Sequence, residues 1–369
     1  MKTYMISLHG AYENENFGDE LLIAIQAKWI NDEGYDVCLP FASKVYREQI
    51  PSLDKEGSRG LEESEKLIYT GGGYFGEPNH KTFKWGINFF RKKHHIPAKI
   101  FKKNNKKYLI CGVGAGPITN PITRYTVVKI CNFAEKVVVR DTTSYDYLIK
   151  YGVIPEKIQV GADVVLSLTI HDLPKGSIEK AKKTLNKDNK NFYLGIHIGV
   201  SPDDENYKTN VKAAMESLAN VIKRNSVVPV LIADKRNATS TQEKAIEYMS
   251  SLLDEEPIVY RHSNIWETCA FLSSLDGVVT TKLHVGITAY TLGTRTFGIA
   301  AHQKTRRFYN QIKKENYFYE LKEVDNGIES SLELFIKDRY WDEETLQAKK
   351  ELNERALLCK REMLQFLES

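Results

Sequence analysis

Residues 278–308, VVTTKLHVGITAYTLGTRTFGIAAHQKTRRF, read as strand, turn, helix, strand, turn, helix. A chain made of such units has few folding options. The short apolar runs become parallel strands, and the longer stretches become crossovers that cover the sheet. The polar groups crowd into the turns. The first turn holds Thr280, Thr281, Lys282 and His284; the second holds His302, Gln303, Lys304, Arg306 and Arg307. In an α/β sheet both turns lie at the carboxyl ends of strands, where ligands bind. A histidine with two basic helix starts points to an anionic, phosphorylated ligand and proton transfer beside it.

The same alternation runs along the whole chain. Apolar strands are predicted at 4–8, 66–70, 107–113 and 136–140, with helices at 19–30 and 142–150 showing three- and four-residue apolar spacing. Residues 171–190, HDLPKGSIEKAKKTLNKDNK, turn polar and are read as holding a linker near their start. A second series follows, with strands at 192–198, 227–232, 257–260, 277–280 and 296–300 and helices at 210–224, 241–253 and 265–273. The expected architecture is therefore α/β: two doubly wound parallel-sheet (Rossmann-like) domains facing a cleft, as in GT-B enzymes. The boundaries are 1–172 for the N-terminal domain and 190–325 for the C-terminal one. Residues 326–369 form a C-terminal helical segment that packs back on the first domain.

Composition removes other classes. With 42% hydrophobic and 27% charged residues, the 369-residue chain is neither disordered nor collagen-like. No run approaches the ~18 apolar residues of a membrane span. The apolar stretch at the N-terminus is too short for a signal peptide, which points to the cytoplasm. Five scattered cysteines, without CxxC or Cys/His ligand spacing, suggest free thiols and no structural zinc. Net charge is +4, yet residues 78–134 hold twelve Lys or Arg and no Asp or Glu. Aromatic and aliphatic residues interleave with the basic ones in 81–107. Such a segment fits an anionic membrane surface, which would place the protein peripherally at the inner face of the plasma membrane. A solvated helix face is the plainer reading. Nucleic acid is set aside, because no recognised motif accompanies the patch. His94 and His95, inside it, are expected at the surface.

Four first-half turns carry the remaining signals. HGAYENENFGDELL brings Asn16 and Gly18 to the start of a helix whose Asp19 and Glu20 suit its positive end. That acidic pair argues against direct phosphate contact and suits sugar hydroxyls. In YTGGGYF, Gly71, Gly72 and Gly73 let backbone approach a ligand closely, or simply make a tight turn. In CGVGAGP, Gly114 lies in a GxGxG pattern; a dinucleotide fingerprint would be GxGxxG, so NAD is rejected. VVVRDTTSYDYL sets Arg140 at a strand end beside Asp141, either as a fork for a carboxylate or phosphate or as a structural ion pair. His197, inside FYLGIHIGV, reads equally as a satisfied core histidine and as a cleft group.

Taken in order, NFGDELL, TGGGYF, CGVGAGP, VVVRDTTSYDYL, GADVVLS, TKLHVGITAYTLGT and HQKTRRF resemble the polysaccharide pyruvyl transferase family over about residues 6–312. The basic segment, the linker and the C-terminal helix lie outside the resemblance. It implies a cytoplasmic enzyme that moves pyruvate from phosphoenolpyruvate to a sugar of a surface polysaccharide, usually as a cyclic ketal across two hydroxyls. The acceptor would often be a lipid-linked saccharide, for instance on polyprenyl diphosphate. No cofactor is implied, phosphoenolpyruvate being the co-substrate, and no metal is required.

That chemistry gives the polar turns expected roles. His284 is the acid/base, because an imidazole titrates near pH ~6.5 and can serve either way. A helix start disfavours its charged form, whereas a bound phosphate favours it. Lys282, Lys304, Arg307, His302 and Thr281 are expected to bind the donor, with Arg140 contributing catalytically from the other domain. Asn16, Gly18, Asp19, Gly71, Gly72, Gly73 and Gly114 would line the acceptor side. A glycosyltransferase of the same fold using a nucleotide sugar, and a non-catalytic saccharide-binding protein, remain open. The acceptor sugar and the oligomeric state are not encoded legibly.

Overall fold

The computed structural model describes residues 4–11, 16–77, 82–91, 94–188, 190–236, 239–300, 303–324 and 327–369. They divide into two units. The first takes the described residues before Asn16, then Asp19–Ser167 and Leu352–Ser369; the second takes Asn16–Gly18 and Leu168–Glu351.

Among the described residues the first unit has seven strands: β1 (Met5–His9), β2 (Asp36–Cys38), β3 (Lys66–Tyr69), β4 (Gly72–Phe75), β5 (Tyr108–Ala115), β6 (Val137–Val139) and β7 (Ile158–Val160). They pair in parallel in the order β2-β1-β3-β5-β6-β7, with β4 against the carboxyl half of β5. Every residue of β1 and β5 is buried, as a parallel sheet covered on both faces requires. Two glycine stretches read as turns turn out to be strand. Gly72 and Gly73 belong to β4, and Gly112 and Gly114 belong to β5. The reason is visible at Gly112. Its φ of 85° falls where the β5–β6 register shifts, and the Val164 side chain lies 2.6 Å from where a Cβ would stand. Only glycine lets the strand bulge there and continue.

The helix Glu343–Glu368 passes from the second unit into the first. Its later turns bury Leu352, Ala356, Cys359, Met363 and Phe366. Lys136 bonds Glu362 at 2.5 Å, and Arg355 donates to the Gly161 carbonyl at 2.8 Å. From Leu352 on, this helix belongs to the first unit as expected, whereas 327–351 of the expected C-terminal segment belong to the second, where Glu333 pairs with Arg224 at 3.1 Å.

The second unit has six strands among the described residues: β8 (Phe192–His197), β9 (Val227–Ala233), β10 (Ile258–Arg261), β11 (Gly277–Thr280), β12 (Arg295–Ala300) and β13 (Phe318–Glu320). All pair in parallel in the order β10-β9-β8-β11-β12-β13. The stretch 171–190, read as holding a linker, contains the helix Ser177–Thr184. Lys180–Glu267 (2.5 Å) and Lys187–Asp276 (2.8 Å) pin this stretch to the second unit. The helix Leu283–Thr291 is buried at all nine residues. Its sequence, LHVGITAYT, has no charged side chain to hold a face toward water.

Candidate active site

In the second unit, strands β8, β9 and β10 run outward on one side, and β11, β12 and β13 on the other. Strand order therefore reverses between β8 and β11, and the crevice at their carboxyl ends is where such sheets bind ligands. His197 ends β8 and pairs in register with Thr280, which ends β11. Both side chains are buried, and His197 Nδ1 lies 3.3 Å from the Thr280 hydroxyl. The other ring nitrogen, Nε2, faces Asp234 at 3.2 Å, just past the end of β9. Gln242 donates to the same carboxylate at 2.5 Å, and the Lys282 ammonium lies 3.5 Å from its second oxygen. Burial would raise the Asp234 carboxyl. His197 and the Lys282 ammonium beside it, with the Gln242 hydrogen bond, outweigh it and hold the group well below the usual carboxylate range.

This cluster shapes the start of the helix Leu283–Thr291. Lys282 is its N-cap residue, and the Lys282 amide donates to Thr280 Oγ1 at 2.9 Å. Thr281 is fixed at both ends: its amide donates to the His197 carbonyl, and its hydroxyl accepts from the Gly199 amide at 2.7 Å. His284 follows in the first turn, 6% exposed. Its imidazole lies against Gly18, where a Cβ would stand 2.5 Å from Nδ1.

Asn16 and Gly18, expected among first-domain residues, group with the second unit. Asn16 bridges Lys235, the Phe17 amide donates to the Asp234 carbonyl at 2.9 Å, and the Phe17 ring packs edge-on against His262. One buried aspartate thus meets Lys282 through its side chain and Phe17 through its carbonyl. Asp234 and Gln242 had no signal in the sequence beyond lying after an apolar strand. His197 resolves into a buried histidine that also borders the crevice.

The second polar turn is placed in part. Lys304 and Arg307 sit in the helix Gln303–Gln311, Lys304 exposed and Arg307 partly buried. His302 lies outside the described residues. Arg306 instead pairs with Glu320 at 2.9 Å and covers the Phe318 ring.

In the first unit, Arg140 is 8% exposed and follows β6. Its guanidinium lies 3.4 Å from Asp163 and 3.7 Å from Asp141, so two carboxylates meet its charge. It rests on Gly114, where a Cβ would come within 2.6 Å, and 3.8 Å from the corresponding point of Gly73. The structure thus joins Arg140, Gly73 and Gly114. Gly71 packs on Leu22, and Asp19 lies in the first turn of the helix Phe17–Asp32. This unit's own strand order reverses between β1 and β3. There His9 bonds His94 at 2.8 Å, and His94 stacks on Tyr74 at 4.6 Å. His94, expected at the surface, is half-buried because this aromatic cluster takes its ring.

All five cysteines are buried, and none forms a disulfide. Burial pushes the Cys131 and Cys269 thiols up, which leaves them poor nucleophiles. Among the described residues no three His, Cys, Asp or Glu are grouped to hold a metal ion. The chemistry in reach of the second-unit crevice is proton transfer by an imidazole beside a lysine.

The sequence profile of the polysaccharide pyruvyl transferase family matches residues 16–303, which include Asn16, Arg140, Asp234 and His284. The chain belongs to that family. The family match stops at Gln303, so Lys304 and Arg307 lie just beyond it. No curated protein matches the chain in sequence. Solved structures similar to it include Anabaena HepE in complex with UDP-glucose, at 14% identity and TM-score 0.61, covering 99% of each chain. The UDP-GlcNAc 2-epimerase of Neisseria meningitidis bound to UDP-GlcNAc is similar at 9% identity and TM-score 0.66, covering 98% of this chain and 100% of that one. A glycosyltransferase of Rickettsia africae reaches TM-score 0.58 at 12% identity, covering 99% and 98%. The pyruvyl transferase family member thus has two parallel-sheet α/β units of GT-B-like kind.

Proposed function

We propose that this chain transfers pyruvate from phosphoenolpyruvate to two hydroxyls of a saccharide belonging to a cell-surface polysaccharide or its lipid-linked precursor. The product is a cyclic ketal, and phosphate is released. The observation that carries the reading is His284 in the first turn of a buried helix that opens at Lys282, at the switch point of the second unit, in a chain matched by this family.

The steps balance with one imidazole. His284 gives its proton to the methylene carbon of phosphoenolpyruvate, and the adjacent carbon becomes oxocarbenium-like. A sugar hydroxyl oxygen bonds to that carbon and returns its proton to His284. The carbon–phosphate oxygen bond breaks with its electron pair leaving on phosphate. The second hydroxyl closes the ketal, and its proton leaves with phosphate. Lys282, with the helix start behind it, opposes the charge that gathers on the leaving group. Lys304, Arg307 and Thr281 are assigned to the donor, as is His302, while Arg140 is assigned to catalysis. Asn16, Gly18, Asp19, Gly71, Gly72, Gly73 and Gly114 are assigned to the acceptor side, with Gly18 also setting the room for His284.

The test is phosphate release from phosphoenolpyruvate, followed with and without the host's saccharide precursors, together with mass spectrometry for a pyruvylated product. Acceptor-dependent release with the matching mass gain supports the reading; phosphoenolpyruvate left intact across the acceptor set sinks it. A nucleotide-sugar glycosyltransferase is the second reading, favoured by the UDP-sugars in HepE and the Neisseria epimerase. It predicts that UDP-glucose, and not phosphoenolpyruvate, raises the melting temperature.

Two substitutions probe the site in detail. Gly18→Ala puts a methyl into the space of the His284 ring, so ring or backbone must give way. Overpacking of this kind costs about 1–3 kcal/mol of stability. A catalytic ring displaced by an ångström costs about 10²-fold in kcat. An unchanged kcat would show that His284 does not depend on this contact. Lys304→Ala should raise the KM for phosphoenolpyruvate about tenfold with little change in kcat, as expected for a charge that binds ground and transition states alike. A KM that stays put removes Lys304 from the donor site.

A further inference from the structure

The basic segment 78–134 is not uniform in the structure. Its helix His95–Lys103 turns Pro97, Ala98 and Phe101 into the first unit's core. Its helix Thr82–Arg91 does otherwise. Trp85 packs against that core, while Phe83 (73% exposed) and Ile87 (37%) stand in solvent one turn apart. Gly86 of this helix meets the helix Pro121–Phe133, 3.0 Å separating its would-be Cβ from Thr123 Oγ1. On the solvent side of that second helix, Ile122 (66%) and Tyr125 (59%) are exposed as well. Four of the twelve large exposed apolar side chains among the described residues thus lie on these two touching helices.

The two helices themselves carry only basic charges. Lys84 and Lys129 are exposed, and Lys129 lies over the Tyr125 ring at 4.4 Å. Lys99, Lys102 and Lys103 add exposed ammonium groups on the neighbouring helix. The nearest acid, Glu77, accepts from the amides of Thr119 and Asn120 ahead of the second helix, where its charge suits the helix start. Glu135, at the other flank, pairs with Lys107 at 3.2 Å.

We infer that the exposed sides of helices Thr82–Arg91 and Pro121–Phe133 form a docking face for an anionic lipid surface. The apolar side chains enter the headgroup layer, and the lysines meet its phosphates. A second copy of the chain fits poorly, because a two-fold contact would set these lysines against one another. Exposed isoleucines give nothing to a nucleic-acid backbone, whereas a bilayer takes them up. The face lies outside the residues assigned to chemistry, so its test does not depend on the activity proposed above.

The experiment is co-sedimentation of the full chain with phosphatidylglycerol-containing vesicles and with pure phosphatidylcholine vesicles. Binding to the anionic vesicles alone, weakening as salt rises, is expected. The triple substitution Phe83→Ser, Ile122→Ser and Tyr125→Ser touches only exposed side chains. It should lower that binding about tenfold or more, with the melting temperature unchanged. Wild-type protein left in the supernatant with anionic vesicles overturns the inference. So does binding that the triple variant retains, or a Ser-sensitive self-association seen by sedimentation in the absence of vesicles.

Discussion

Replacing His284 with alanine is expected to lower pyruvyl transfer by about 10²–10⁴-fold, the usual worth of a positioned proton donor. Its helix is held by eight other buried positions, so the fold should persist. His284→Gln serves as the control, because it fills the same space without a proton to give at neutral pH. Both variants should lose phosphate release together while still shifting their melting temperature with phosphoenolpyruvate. Turnover near the wild-type rate in either would remove His284 from the chemistry. Loss in the alanine variant alone would mark a packing role.

Asp234 should show the largest effect on stability. It is 2% exposed, and it faces His197, Gln242 and Lys282. Asp234→Ala strands these partners, and breaking a buried pair on one side costs about 3–5 kcal/mol. Asp234→Asn keeps the volume but loses the charge, so part of the cost should remain. The pH dependence follows from the depressed carboxyl. Its contribution is fully present above the unfolded value of about 3.9 and is lost as pH falls through the lower folded value. The melting-temperature gap between wild type and Asp234→Asn should therefore be wide at neutral pH and close in strong acid. A gap that stays constant into acid would mean that the carboxylate charge is not what the site uses.

How much of this was written in the sequence depends on the length scale. Strands with five or more apolar residues, such as 192–198, declare themselves, because burial on both faces demands a continuous apolar run. The short strands β2, β7 and β13 have three residues each and no such run; only their neighbours make them strands. Gly72 and Gly112 looked like punctuation, yet the sheet uses them to bulge and continue. His284 and Lys282 were legible because they follow a strand and open a helix. Asp234 was not, since its partners come from residues 197, 242 and 282. The grouping of Asn16 with Lys235 was equally hidden, being set by a backbone bridge that no side-chain pattern announces. Arg140 beside Asp141 was legible as a pair, but Asp163, which meets its other side, arrives through tertiary folding.

The helix Glu343–Glu368 carries a consequence for synthesis. Domains ordinarily fold as they emerge, the N-terminal one first. Here the first unit lacks Leu352, Ala356, Cys359, Met363 and Phe366 until residues 352–369 have been made, after nearly all of the second unit is already available. The sheet around Cys111, whose thiol meets the Cys359 carbonyl at 3.2 Å, must wait with an apolar face uncovered. The first unit can therefore close its core only once residues 352–369 have been made.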